Sequence, residues 1–254
     1  MLNIDLTVLL SVVMGFSVFL SLPIILYKKI TLRQMLGFNA IAIGILAFLL
    51  VDIYGDVSSI FGNMPITDPL EIVFLVGFLV SFLFFIGPKE SRDPEENPKR
   101  TSILAAIGIG LQNLTEGLVF GSAGAAGIVS IYVLSVIGFT LQNLTEGFPI
   151  AAPLVGSKVK IEKKFMSAAF LIGGIPTILG TLLGLVFFSK MFIVFFDALA
   201  SAAILYVILA LFHVNINKSR IEDRKEMKYL MLLTYLGILI GFVVAFVVNY
   251  AVVA

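Results

Sequence analysis

Eight apolar runs of bilayer length occupy most of this chain. They lie near Leu6 to Tyr27, Met35 to Ile53, Pro69 to Gly87, Ser102 to Ser122, Ile128 to Pro153, Phe165 to Phe188, Met191 to Phe212 and Tyr229 to Val252. A bilayer core takes about 20 apolar residues in helical form, and a lipid-exposed backbone must satisfy its own polar groups. The expected fold is therefore all-α, an integral membrane protein with eight transmembrane helices in a single domain over residues 1–254. Only 13% of residues are charged, against roughly a quarter in a soluble domain, so too little polar sequence exists to clothe a soluble core. Met1 to Asp5 has no basic segment and no small-residue cleavage site follows, so the first run reads as a retained span. The absence of cysteine excludes disulfides and thiolate metal sites.

The charges lie in the connections. Lys28, Lys29 and Arg33 follow the first span; Lys89, Arg92, Lys99 and Arg100 the third; Lys158, Lys160, Lys163 and Lys164 the fifth; Lys218, Arg220, Arg224, Lys225 and Lys228 the seventh. Every second connection is basic, and with eight spans all of these fall on one face, with Lys190 alone opposite. The positive-inside rule makes the basic face cytoplasmic and both termini extracytoplasmic. Residues 88–100, with Pro94 and Pro98 among mixed charges, read as a cytoplasmic loop. The opposite face carries Asp52, Asp56, Asp68 and Glu71, with Asp197 just inside the seventh span; an acidic mouth concentrates cations. Spans one to three and six to eight form two three-helix halves around a central pair, an arrangement common in transporters, although the halves share no convincing sequence identity.

That central pair, residues 101–157, contains Leu-Gln-Asn-Leu-Thr-Glu-Gly twice, at 111–117 and 141–147. Glu116 and Glu146 are the only charged side chains between Thr101 and Ser157. Span four places Gln112 about 10 residues, roughly 15 Å, from the cytoplasmic face, and span five places Gln142 about 14 residues, roughly 21 Å, from the other. Both copies thus fall near the midplane on antiparallel neighbours. Within each copy Gln and Glu share a helix face and Asn is turned about 100° away. Gln112, Asn113, Glu116, Gln142, Asn143 and Glu146 together offer six oxygen-bearing side chains. An ionised acid at the bilayer centre costs about 2.5–3.5 kcal/mol on insertion scales and usually marks a pathway or a partner. A divalent cation would neutralise both. Interhelical amide hydrogen bonding accounts for Gln and Asn without a ligand, but it requires no acids. The Asn-Leu-Thr triplets match a glycosylation sequon, which is inaccessible at this depth.

Two antiparallel midplane helices bearing polar-Asn-x-x-Glu-Gly, in an eight-span chain with both ends outside, resemble the ZIP (Zrt- and Irt-like protein) family of divalent metal transporters. The resemblance covers the chain by topology and rests on Gln112, Asn113, Glu116, Gly117 and Gln142, Asn143, Glu146, Gly147. Weaker support comes from Ala200 to Val207 in span seven and Gly44 to Asp52 in span two. It implies a ZIP-like 3+2+3 bundle, a multi-pass place in the cell membrane, a divalent metal ion as substrate, and a homodimer. Where the family's motif has His, this chain has Gln112, giving an all-oxygen site that suits Mn²⁺, Fe²⁺ or Mg²⁺ relatively better, although at a given site Zn²⁺ still binds more tightly than Mn²⁺. The family's motif Pro is Thr115 and Thr145 here. Thr177, beside Pro176, stands where the family often has a span-six Glu, which points to one bound ion. Asp52 stands near a position often held by His or Asp and is an expected entrance ligand. His213, the only histidine, is a candidate exit ligand at the inner end of span seven.

The expected activity is movement of a Zn, Fe or Mn ion toward the cytoplasm, with Mg²⁺ also compatible. The chief rival is a non-transporting metal sensor or scaffold of the same fold. A membrane-embedded enzyme using the paired acids finds no nucleophile, no HExxH and no substrate-binding domain in support. The expected partners are the metal ion and the lipid bilayer, not nucleic acid.

Overall fold

The computed structural model describes residues 4–22, 31–62, 68–86, 97–127, 129–155, 157, 159 and 162–250, with backbone alone for 129–135 and 249–250. Lys28, Lys29, Lys89, Arg92, Lys158 and Lys160, and residues 88–96 of the expected cytoplasmic loop, lie outside the described residues.

Eight helices follow one another: α1 (Ile4–Phe16, continued by a 3-10 turn at Ser17–Ser21), α2 (Leu32–Phe61), α3 (Pro69–Ile86), α4 (Pro98–Ala126), α5 (Val129–Ala151), α6 (Lys163–Gly184), α7 (Lys190–Ser219) and α8 (Arg224–Tyr250). Seven are long and apolar enough to cross a bilayer, and α5 has 23 residues. No strand occurs among the described residues. The chain is an all-α, multi-pass membrane protein, and lipid-facing side chains such as Leu83 and Phe84 on α3 and Leu239 on α8 are exposed accordingly.

Hydropathy alone ends the expected spans too early. It stops span two at Ile53 and span seven at Phe212, whereas α2 runs to Phe61 and α7 to Ser219. The helices continue because polar residues such as Asp56 and Asn215 interrupt hydropathy without breaking the backbone ladder. Their starts are set by capping: Thr31 and Gln34 form a reciprocal capping box on α2, Asn97 accepts from the Arg100 N–H with Pro98 in the first turn of α4, and Ser189 accepts from the Phe192 N–H. Gly127 ends α4 with φ 74°, a conformation that favours glycine.

Contacts fix the direction of each helix. Arg100 of α4 meets Tyr206 of α7 while Thr115 meets Asp197, so these two run antiparallel. Ser102 meets Ile150 and Asn113 meets Glu146, so α4 and α5 do too. Glycines bring two parallel pairs into backbone contact. A methyl on Gly117 would strike the Thr177 carbonyl and one on Gly180 the Leu114 carbonyl, locking α4 to α6; Gly44 against Ile238 and Gly241 against Ile41 do the same for α2 and α8. Small residues allow such approaches in membranes. Gly138 of α5 makes no such approach, because a methyl there would meet nothing within 4 Å.

The two three-helix halves interleave. α1 packs on α6, α2 on α8 and α3 on α7. The described basic residues gather at the starts of α2, α4, α6 and α8 and at the end of α7, with Lys190 at the start of α7 the exception at the opposite end. Arg33 pairs with Glu226 at 2.8 Å and Lys99 with Glu162 at 3.2 Å across those ends. At the basic end of the bundle Arg100 donates to the Tyr206 hydroxyl and the Phe85 carbonyl, and Ser102 donates to the Ile150 carbonyl at 2.6 Å.

Candidate metal site

The heptapeptide copies meet where α4 and α5 cross. Their side chains are buried: Gln112, Asn113, Gln142 and Asn143 are at most 5% exposed, Glu116 is 6% exposed and Glu146 is 0% exposed. Helical spacing accounts for one contact, since Gln112 Nε2 donates to Glu116 Oε1 at 2.9 Å, four residues on. The antiparallel register accounts for two more. Gln142 Nε2 donates to the same Glu116 Oε1 at 2.8 Å, and Asn113 Nδ2 donates to Glu146 Oε2 at 2.9 Å.

The two copies are therefore not equivalent. Glu116 collects two glutamines and Glu146 receives Asn113. Asn143 turns away, donating to the Met14 carbonyl of α1 at 2.9 Å, while Asn113 also donates to the Gly173 carbonyl of α6 at 3.0 Å. Helices α1 and α6 thus close the site from behind. Its amide nitrogens are directed at carboxylates or backbone, which leaves the oxygens over. One oxygen from each of the six residues, namely Gln112 Oε1, Asn113 Oδ1, Glu116 Oε2, Gln142 Oε1, Asn143 Oδ1 and Glu146 Oε1, is buried without a hydrogen-bond partner, and so is Thr177 Oγ1. Buried polar groups are ordinarily satisfied, and leaving one unpaired costs about 1–3 kcal/mol. The motif thus contributes six bare acceptors from two adjacent helices. Among the described residues no three His, Cys, Asp or Glu side chains converge as a metal cluster, so amide oxygens would have to complete any coordination shell.

A cavity of about 330 Å³ leads to Glu116 from the bundle end opposite the basic residues. Ser59 and Ile60 of α2 and Phe188 before α7 lie toward its outer end, Phe139 of α5 forms a wall, and Thr115 and Glu116 lie deepest. Its charged lining is Asp52, Asp56, Glu116 and Asp197, with no basic residue. Asp52 is thus on the approach and apart from the six-residue cluster. Thr177 sits on α6 against Gly15 and Gly117. His213 is not brought to the site: it is exposed and lies 2.8 Å from Asn217 Nδ2.

Sequence reasoning placed Asp197 only near the outer face. The structure puts it, 2% exposed, against the motif itself, with Oδ1 2.8 Å from Thr115 Oγ1. The criterion that singled out the two glutamates, an acid inside an apolar run, applies equally to Asp197. The carbonyls of Met14 and Gly173 had no such signature, since any residue supplies one.

Fold and site together define a multi-pass helical membrane protein with a buried, oxygen-rich polar centre reached from one face. No family model and no curated protein matches the chain.

Proposed function

We propose that this chain carries a divalent cation of the Zn, Fe or Mn class across the cell membrane toward the cytoplasm, through the site between α4 and α5. The observation that carries the reading is the set of six buried, unpartnered oxygens, one per motif residue. The clamp Asn215, which donates to the Leu36 carbonyl, also leaves its Oδ1 bare, so what sets the motif apart is the two buried acids beside its amides, which call for a positive partner. Glu116 and Glu146 are the charged ligands; the carbonyl oxygens of Gln112, Asn113, Gln142 and Asn143 complete the shell. The acidic cavity admits the ion to Glu116, and the contacts of Arg100 and Ser102 hold the basic end shut. Release into the cytoplasm then requires that end to open, as in alternating access. The resemblance to ZIP transporters supports the same direction and a homodimeric state.

Radiolabelled Mn²⁺ or Zn²⁺ uptake into proteoliposomes tests the reading. Wild type is expected to take up the ion and the Glu116→Ala, Glu146→Ala double variant to fall to the protein-free background. Equal uptake by both would reject transport through this site. The sensor or scaffold alternative is favoured by Gln112 where the ZIP motif has His and by Thr177 where the family often has a span-six Glu. Binding of the ion in equilibrium dialysis with no flux would select that alternative.

A further inference from the structure

Thr115 holds one proton and faces two acceptors. Its Oγ1 lies 2.7 Å from the Gln112 carbonyl and 2.8 Å from Asp197 Oδ1. The second motif copy shows the contact this hydroxyl makes when no acid faces it. Thr145 occupies the same place in an identical sequence, faces no acid, and donates to the Gln142 carbonyl at 2.8 Å. Thr140, Thr181 and Thr234 likewise donate to a carbonyl one turn earlier, the usual habit of a helical hydroxyl. With Thr115's proton on Gln112, the contact to Asp197 is a hydrogen bond only if Asp197 supplies the proton. A hydroxyl oxygen has acceptor lone pairs to receive it, and a protonated carboxyl is a donor.

The surroundings favour a neutral acid. Asp197 faces Glu116 on α4 and Asp52 and Asp56 on α2 around the one cavity, and neither α3 nor α8, the other helices packed on α7, contributes a residue to its lining. The lining holds four carboxyl groups and no basic residue, and like charges crowded in a low-dielectric cavity disfavour full ionisation. We propose that Asp197 is the proton-binding site of this cavity: it is held as the neutral acid by donating to Thr115 Oγ1, and it gives that proton to cavity water when a divalent cation enters. The exchange half of this proposal rests on the transport reading above. The step balances in this way: the Asp197 O–H bond breaks, the proton passes to cavity water and Asp197 becomes a carboxylate, which meets one charge of the arriving ion; carboxylates of the same lining that are already ionised meet the other, and Thr115 keeps its own bond to Gln112.

Infrared spectroscopy of the lipid-reconstituted protein tests it directly. With ¹³C-labelled aspartate, wild type at neutral pH is expected to show the carbonyl band of a protonated carboxylic acid, absent in Asp197→Asn. Thr115→Ser is expected to keep the band in place, and Thr115→Val, which removes the acceptor, to shift it; these two variants give the answer even if Asp197→Asn misfolds. Adding Mn²⁺ is expected to abolish the band and to release about one proton more per bound ion from wild type than from Asp197→Asn. No band in wild type overturns the neutral acid, and a band unmoved by Thr115→Val overturns its donation to Thr115 Oγ1. A band that survives Mn²⁺ shown by equilibrium dialysis to be bound overturns the exchange. Absence of Mn²⁺ binding to wild type overturns the transport reading and the exchange with it, while the band still decides the state of Asp197.

Discussion

Glu116 and Glu146 stand at equivalent places in two identical heptapeptides, yet they keep different company. Glu116 takes Gln112 and Gln142 and borders the cavity; Glu146 takes Asn113 and does not. Identical sequence has thus produced an outer and an inner acid, because each copy meets different neighbours. Gln112 carries a prediction at this scale. An imidazole in its place adds a softer nitrogen ligand beside the acids, which suits Zn²⁺ better than Mn²⁺. Gln112→His is expected to raise the Zn²⁺-over-Mn²⁺ preference by about tenfold, equivalent to roughly 1.4 kcal/mol, in competition binding. An unchanged ratio would place Gln112 outside the coordination shell.

Among the helices, close approach separates glycines that otherwise look alike. Gly117 has the Thr177 backbone where a side chain would go, and Gly138 has open space. Gly117→Ala is expected to lower unfolding stability by about 1–3 kcal/mol through overpacking. Gly138→Ala is expected to leave it unchanged or raise it by up to about 1 kcal/mol, since alanine is the better helix former. Denaturant titration in detergent separates the two. Much of this level was legible beforehand: the number of spans, their alternation and the meeting of the two motifs follow from apolar length, charge placement and a short turn. What was not legible depends on rotation about each helix axis. Asn143 reaching α1 instead of its counterpart, Asp197 reaching Thr115, and Gly138 facing nothing all turn on side-chain direction, which span counting leaves free. Helix ends were missed for a related reason. Capping by Thr31 and Ser189 acts on the backbone, and hydropathy does not register it.

For the molecule as a whole, the basic ends of α2, α4, α6 and α8 gather on one side and the acidic cavity opens on the other. The orientation is testable because the chain contains no cysteine. A membrane-impermeant thiol reagent applied to intact cells is expected to label Asp5→Cys and to leave Lys225→Cys unlabelled until the membrane is permeabilised. The reverse pattern would invert the topology. The cavity has an optical consequence as well. The chain contains no tryptophan, so Phe139→Trp would put its sole indole in the cavity wall across from the four carboxyl groups. Its emission would report wetting and ion arrival at that wall alone, with no background from the rest of the protein.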